Sequence, residues 1–170
     1  SKHPELTTYH DPCNYARKSE MVFGHGYYEE PRWITQQCVE NFVDMHPNRS
    51  NNHCCGAGGG AWASPYAEER IYYGRVKVKQ IKDTGAELLI APCHNCRDQI
   101  MKSLRQEYDM MDVEVKYLWE LVADSLIIDG EEKKSYVFLY SATALSQWLR
   151  EDYLERIDDA YCRARRNSSR

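Results

Sequence analysis

The chain has no apolar run approaching the ~20 residues that a membrane-crossing helix needs. Its longest candidate, residues 136–145, is far shorter and carries hydroxyl groups. It also has no excess of positive charge: 22 Lys+Arg stand against 26 Asp+Glu, a formal net charge of −4. That balance removes the broad electrostatic reason to expect a nucleic-acid partner. Internal repeats and low-complexity tracts are absent, and 12% aromatic residues argue against disorder. Ser1-Lys2-His3-Pro4 offers neither an initiator Met nor a charged-then-apolar leader, so the expectation is a piece excised or processed from something longer. An even set of spaced cysteines is missing as well. There are seven, two of them adjacent, which fits structural disulfides poorly and a reducing compartment well. What remains is a 170-residue chain, enough for one domain with a real core.

Strand-like and helix-like segments alternate along it. Leu6 to His10 reads as a short strand ending at Asp11-Pro12-Cys13. Pro31 to Met45 reads as a helix, with Ile34, Cys38, Phe42 and Met45 on one face. After a polar loop come Cys54-Cys55 and the run Gly56-Ala57-Gly58-Gly59-Gly60. Ser64-Pro65 is the expected N-cap and first turn of a long helix with the stripe Ala67, Ile71, Gly74, Val78 and Ile81, and Gly85 stands where a C-terminal cap belongs. Ala86 to Ala91 is nearly all apolar, as a strand buried on both faces of a parallel sheet requires. A helix with Ile100, Leu104 and Tyr108 on its apolar side follows, then a strand at Val113–Val115, a helix from Trp119 to Ile128, and a long amphipathic helix with a basic tail. This order predicts an α/β fold: a mainly parallel sheet with flanking helices, and an extra C-terminal helix.

Five cysteines form one pattern: Cys13, forty residues, Cys54-Cys55, thirty-seven residues, then Cys93-x-x-Cys96. Cys13 and the Cys93/Cys96 pair fall just past the C-terminal ends of expected strands, the edge where open α/β sheets bind ligands. Cys-x-x-Cys lets two thiolates grip one metal or cluster at a helix start. Adjacent cysteines are held awkwardly for a bond to each other by their planar trans peptide, but they can reach two irons of one cluster. Five thiolates exceed the four that a tetrahedral zinc or a simple cubane uses. Gly56, Gly58 and Gly59, with Gly60, lack Cβ atoms, so their N–H groups can approach sulfur and leave room above it.

Asp11-Pro12-Cys13, Cys54-Cys55-Gly56 and Pro92-Cys93-x-x-Cys96 resemble the CCG cysteine-rich domain. That domain occurs in the B-type subunit of heterodisulfide reductase and in the DsrK-type and HmcF-type iron–sulfur subunits of sulfate-reducer membrane complexes. Each gap between ligands is a residue longer than the family's usual range, a cheap loop variation. The resemblance covers Tyr9 to about Ile128. It implies a non-cubane [4Fe–4S] cluster held by Cys13, Cys54, Cys55, Cys93 and Cys96, at which a disulfide is cleaved by one-electron steps. It further implies a cluster-binding domain over residues 1–130 and a helical extension with a basic tail over 131–170, in a longer iron–sulfur subunit. The sequence has one CCG motif where the B-type subunit has two, and no Cys-x-x-Cys-x-x-Cys run. Electrons must then come from a ferredoxin-type domain or another subunit, with membrane subunits as further partners. The implied location is cytoplasmic, peripheral to a membrane complex, and the implied substrate is a thiol or disulfide or a small cysteine-containing protein.

Other readings compete. Zinc could close a tetrahedron on four of the cysteines, making a metal-stabilised assembly module; a third reading is electron relay to a quinone or dehydrogenase subunit. Gly56-Ala57-Gly58-Gly59-Gly60-Ala61 also fits a dinucleotide-binding pattern, but no hydrophobic strand precedes it and that reading is rejected. Cys38 reads as a buried small hydrophobe and Cys162 as a bystander thiol. His94 and His53 are candidate proton donors to a departing thiolate, against the plainer role of hydrogen-bonding their loops. Trp62 either walls the substrate space or fills the core. Arg70, Arg75, Lys77, Lys79 and Lys82 read as a solvated basic face, with an acidic partner as the sharper alternative.

Overall fold

In the computed structural model, which describes residues 1–128 and 131–132, four short strands make one all-parallel sheet. They are β1 (His3–Tyr9), β2 (Val39–Phe42), β3 (Leu88–Ile90) and β4 (Glu114–Lys116), in the order β2-β1-β3-β4. The expected α/β architecture is what forms. Register is set at the centre, where Thr8 pairs with Leu89 and Leu89 with Val115. Every β3 residue is buried, so its continuous apolar run reflects helices on both faces. Fully burying side chains such as Leu88, Leu89 and Ile90 contributes ~1.5–3 kcal/mol each.

Side-chain alternation along the strands divides the core in two. Leu88 and Ile90 join Tyr9, Cys38 and Leu121 on one face, under α2 (Glu29–Cys38) and α6 (Leu118–Ser125). Leu89 and Ala91 join Cys55, Cys96, Val78, Ile81, Ile100 and Leu104 on the other. The elements there are α3 (Ala67–Lys82) and the helical run of α4 (His94–Asp98), a π-helical segment (Gln99–Leu104) and α5 (Arg105–Glu107). Between β1 and α2 lie a π-turn (Asn14–Lys18) and α1 (Ser19–Phe23). β5 (Ile127–Ile128) and β6 (Glu131–Glu132) pair as an antiparallel ribbon. Among the described residues no helix is long and apolar enough to cross a membrane. The expected C-terminal helix, the basic tail and Cys162 lie outside the described residues.

Four local expectations are corrected. The helix expected from Trp119 to Ile128 ends at Ser125, and Ile127–Ile128 is β5. The helix expected over Pro31–Met45 ends at Cys38; Val39 to Phe42 is instead β2, with Leu6 opposite Asn41 and Thr7 opposite Phe42. The free edge of β1 overrides helical periodicity here, helped by β-branched Val39. Helix α3 starts at Ala67 rather than at Ser64-Pro65, because Ala61–Ala63 forms a 3₁₀ turn and the Ser64 hydroxyl donates back to the Ala61 carbonyl. Finally, Lys77 is not on a solvated face: it is fully buried, while Arg75, Lys79 and Lys82 are exposed.

Candidate metal centre

The C-terminal ends of β1 and β3 lie side by side, since Tyr9 pairs with Ile90 and the His10 N–H continues the ladder to the Ile90 carbonyl at 2.9 Å. The segments leaving those ends carry Cys13 and Cys93. Cys13 precedes the π-turn, and Cys93 precedes α4, whose first turn contains Cys96. The Cys54-Cys55 loop is brought to the same place by α3. Gly74 of that helix has no room for a Cβ, which would stand 3.2 Å from the Cys55 carbonyl oxygen and closer still to the Leu104 side chain. Gly56 has a left-handed φ of 93°, and a Cβ there would lie 2.7 Å from the Arg70 carbonyl.

The five sulfurs are linked in one series of contacts. Cys13 lies within electrostatic reach of Cys54, Cys54 of Cys55, and Cys93 of Cys96. Cys55 Sγ and Cys96 Sγ are 3.2 Å apart, well beyond a disulfide length, and both are free and buried. Hydrogen bonds from the Cys54 and Cys96 thiols, with the Ala57 N–H, hold Cys55 well below the usual thiol range, while its neighbour Cys96 is pushed far up. Cys93 is drawn down to about 6, first by the Cys96 hydrogen bond and then by the N–H groups at the start of α4. Cys13 is raised, first by its bond to Cys54 and then by burial. Arg17 Nη2 donates to Cys13 Sγ at 3.4 Å and its Nη1 donates to the Asn52 carbonyl at 2.8 Å, tying the first cysteine to the loop of the second.

The glycines divide. The Gly56 N–H donates to Cys54 Sγ at 3.3 Å, whereas Gly58 and Gly59 are exposed with nothing within 4 Å of a Cβ. His94 is largely exposed beside Cys93; Nδ1 hydrogen-bonds the Tyr117 hydroxyl, and Nε2 lies 3.6 Å from Asp98. His53 is half-buried in its loop. Trp62 packs on the edge of the core, with the Arg70 guanidinium 4.2 Å above its ring. Cys38 is buried on the other face of the sheet, away from the five.

Two residues that sequence patterning does not place here complete the surroundings. Lys77 Nζ donates to Asn52 Oδ1 at 2.5 Å and to Gln80 Oε1, with Met45 Sδ at 3.7 Å. Burial draws it down to about 7, against the upward pull of Asp11 and the Cys55, Cys96 and Cys54 sulfurs. His10 is fully buried, and neither ring nitrogen has a hydrogen-bond partner among the described residues. Its ligating atom and the sulfurs of Cys55 and Cys96 all lie within 4.8 Å of one another. Period-two alternation was the available signal: Thr8 shares the face of Leu89, so His10 shares the face of Ala91 and the cysteines.

A donor set of five gathered thiols and an orphaned imidazole suits a thiophilic metal or an iron–sulfur cluster. Comparison with known proteins gives the same direction. A family profile described as CCG, a cysteine-rich domain, matches residues 7–101. The Hdr-like menaquinol oxidoreductase iron–sulfur subunit 2 of Archaeoglobus fulgidus is 33% identical over 135 residues, covering 76% of this chain and 23% of the relative. The D-type subunit of the dihydromethanophenazine:CoB–CoM heterodisulfide reductase of Methanosarcina acetivorans is 32% identical over 128 residues, covering 75% of this chain and 29% of its own length. The B-type subunit of the fumarate reductase (CoM/CoB) of Methanothermobacter marburgensis is 33% identical over 117 residues, 68% of this chain and 22% of that relative. The chain thus spans about a quarter of the length of these relatives. No solved structure matches it significantly.

Proposed function

The chain belongs to the CCG cysteine-rich domain family, and from that premise we propose that it is the cluster-bearing part of a heterodisulfide-reductase-like redox subunit. In this reading Cys13, Cys54, Cys55, Cys93 and Cys96 hold a non-cubane [4Fe–4S] cluster, residues 1–130 form the cluster domain, and a disulfide or thiol exchanges electrons there. The observation that carries it is the gathering of five unbonded sulfurs at one sheet edge, one more than zinc or a cubane uses. When bound, such a cluster supplies one-electron steps and an iron that substrate sulfur can meet.

The chain's own residues do the rest. Cys55 and Cys93 are predisposed to be thiolates, the form that ligates. The N–H groups of Gly56 and Ala57 and the Arg17 guanidinium offset negative charge on sulfur. Lys77 sits in the core on neutral acceptors, where burial disfavours its ammonium and the charges of Asp11 and of the Cys55, Cys96 and Cys54 sulfurs favour it. His94, anchored by Tyr117 at the exposed mouth, is assigned delivery of a proton from Nε2 to a departing thiolate, with His53 as second candidate. A ferredoxin-type domain or a partner protein, membrane-bound ones included, supplies electrons on the cytoplasmic side.

Anaerobic purification with counts of iron, acid-labile sulfide and zinc, and an EPR spectrum after mild oxidation, tests this. About four irons and four sulfides with a signal that responds to thiol is the expected result; one zinc and no sulfide would replace it with the assembly module. Cys55→Ala should lose the signal and most of the iron. If that variant binds iron and turns over normally, the five-thiolate assignment is wrong.

A further inference from the structure

His10 stands at the sheet edge with chemistry that the proposed function leaves idle. An imidazole shut away from water with both nitrogens unpaired is unfavourable, and buried polar groups in native proteins nearly always have a partner. The partner is not a neighbouring side chain: the groups facing the ring are Cys55 and Cys96, with Lys77 and Arg17 as further cations and Asp11 turned to other bonds. A neutral imidazole carries a lone pair on one ring nitrogen, and here no side chain among the described residues takes it. With the Cys55 and Cys96 sulfurs the His10 ring offers three donors converging from β1, the Cys54-Cys55 loop and α4.

We propose that His10 is a sixth protein ligand of the metal centre, its ring nitrogen binding the metal atom that Cys55 and Cys96 also hold. This rests on the family reading for the presence of a metal centre but not on the identity of the metal. Binding requires only the lone pair of the neutral ring; the other nitrogen keeps its proton. A merely structural His10 differs in one outcome: its replacement by Leu would leave metal binding untouched.

The test uses the full 170-residue chain, reduced and metal-free, with cobalt(II) as probe. The expected result is a paramagnetically shifted, solvent-exchangeable imidazole N–H resonance that disappears in His10→Leu. Cobalt affinity of that variant should fall by ~10-fold or more, while the metal-free variant unfolds at the same or higher denaturant concentration. An unshifted imidazole in the wild-type chain, a measurement that needs no variant, overturns the assignment. So does undiminished cobalt affinity in His10→Leu. After iron and sulfide are assembled, ¹⁵N-histidine labelling should alter the hyperfine spectrum; an assembled cluster with no such change overturns the ligand and leaves the iron–sulfur reading intact. Failure of iron and sulfide to assemble, with the cobalt signature present, overturns that reading and upholds the ligand.

Discussion

His10 and Asp11 are neighbours in the chain, both almost fully buried, and opposite in condition. Asp11 is saturated. Its two oxygens take Arg32 Nη1 and Nη2 at 2.6 and 2.7 Å, and Oδ2 also accepts the Arg49 backbone N–H at 2.8 Å. Arg32 in turn is held by both oxygens of Asp44 at 2.9 Å and by the Tyr28 carbonyl. These carboxylates hold its guanidinium charged in spite of burial. One residue earlier, His10 has no partner among the described residues, and nearby Lys77 has only neutral ones. A closed network of charges fixes the path of the chain into Cys13. An open set of donors beside it has valence left for something else. The difference separates scaffold from site without reference to any ligand.

Arg32→Leu is the strongest way to break this contrast. It strands Asp11 and Asp44, and denaturant unfolding should show a loss of ~3–5 kcal/mol; a loss under ~1 kcal/mol would mean the network is not the scaffold. The next effect is at the open side. Gly56→Ala combines a left-handed φ with a collision at the Arg70 carbonyl and should cost ~1–3 kcal/mol. Gly58→Ala, in open space, should stay within ~0.5 kcal/mol. Equal effects would remove the steric reason for placing α3 against the Cys54-Cys55 loop.

Lys77 sharpens the contrast through pH. Its folded value of about 7 lies below the unfolded 10.5, so between those limits the unfolded chain binds more protons and this residue's contribution to stability rises with pH. Measured metal-free, wild type minus Lys77→Met should therefore gain up to ~1.4 kcal/mol per pH unit from about pH 7 upward. A flat difference would show that Lys77 stays charged throughout. The smallest effect belongs to the rim of the closed network. Arg49 holds Glu29 below the ordinary carboxylate range, so that contribution is present above the unfolded value and is lost as pH falls through the folded one. With both groups largely solvated, Glu29→Gln should cost ~0.5 kcal/mol or less at neutral pH and nothing in acid.

Much of this was legible in the sequence, for identifiable reasons. The run Leu88–Ile90 is apolar because both of its faces are covered, and that is visible in composition alone. The five cysteines announce themselves because thiolate ligands are chemically scarce and their order along the chain is recognisable. Cys38 was separable from them as a small buried hydrophobe, although the helical stripe that suggested this is cut short where β2 begins. The π-helical segment Gln99–Leu104 was not legible, since a single widened turn leaves Ile100 and Leu104 on nearly the same face as an α-helix would.

What the sequence determined by itself was therefore whatever depends on local spacing and residue chemistry: the alternation of strands and helices, the five-cysteine pattern, and the position of Cys13 and Cys93 after strands. Tertiary structure alone decided three things. It ended α2 at Cys38, because the open edge of β1 supplied backbone partners that no local pattern encodes. It sank Lys77 into the core while its helix neighbours stayed in water, because burial is set by what packs against a face rather than by the face. And it turned His10 toward Cys55 and Cys96 while Asp11 met Arg32, because adjacent side chains diverge and their company is chosen by segments distant along the chain.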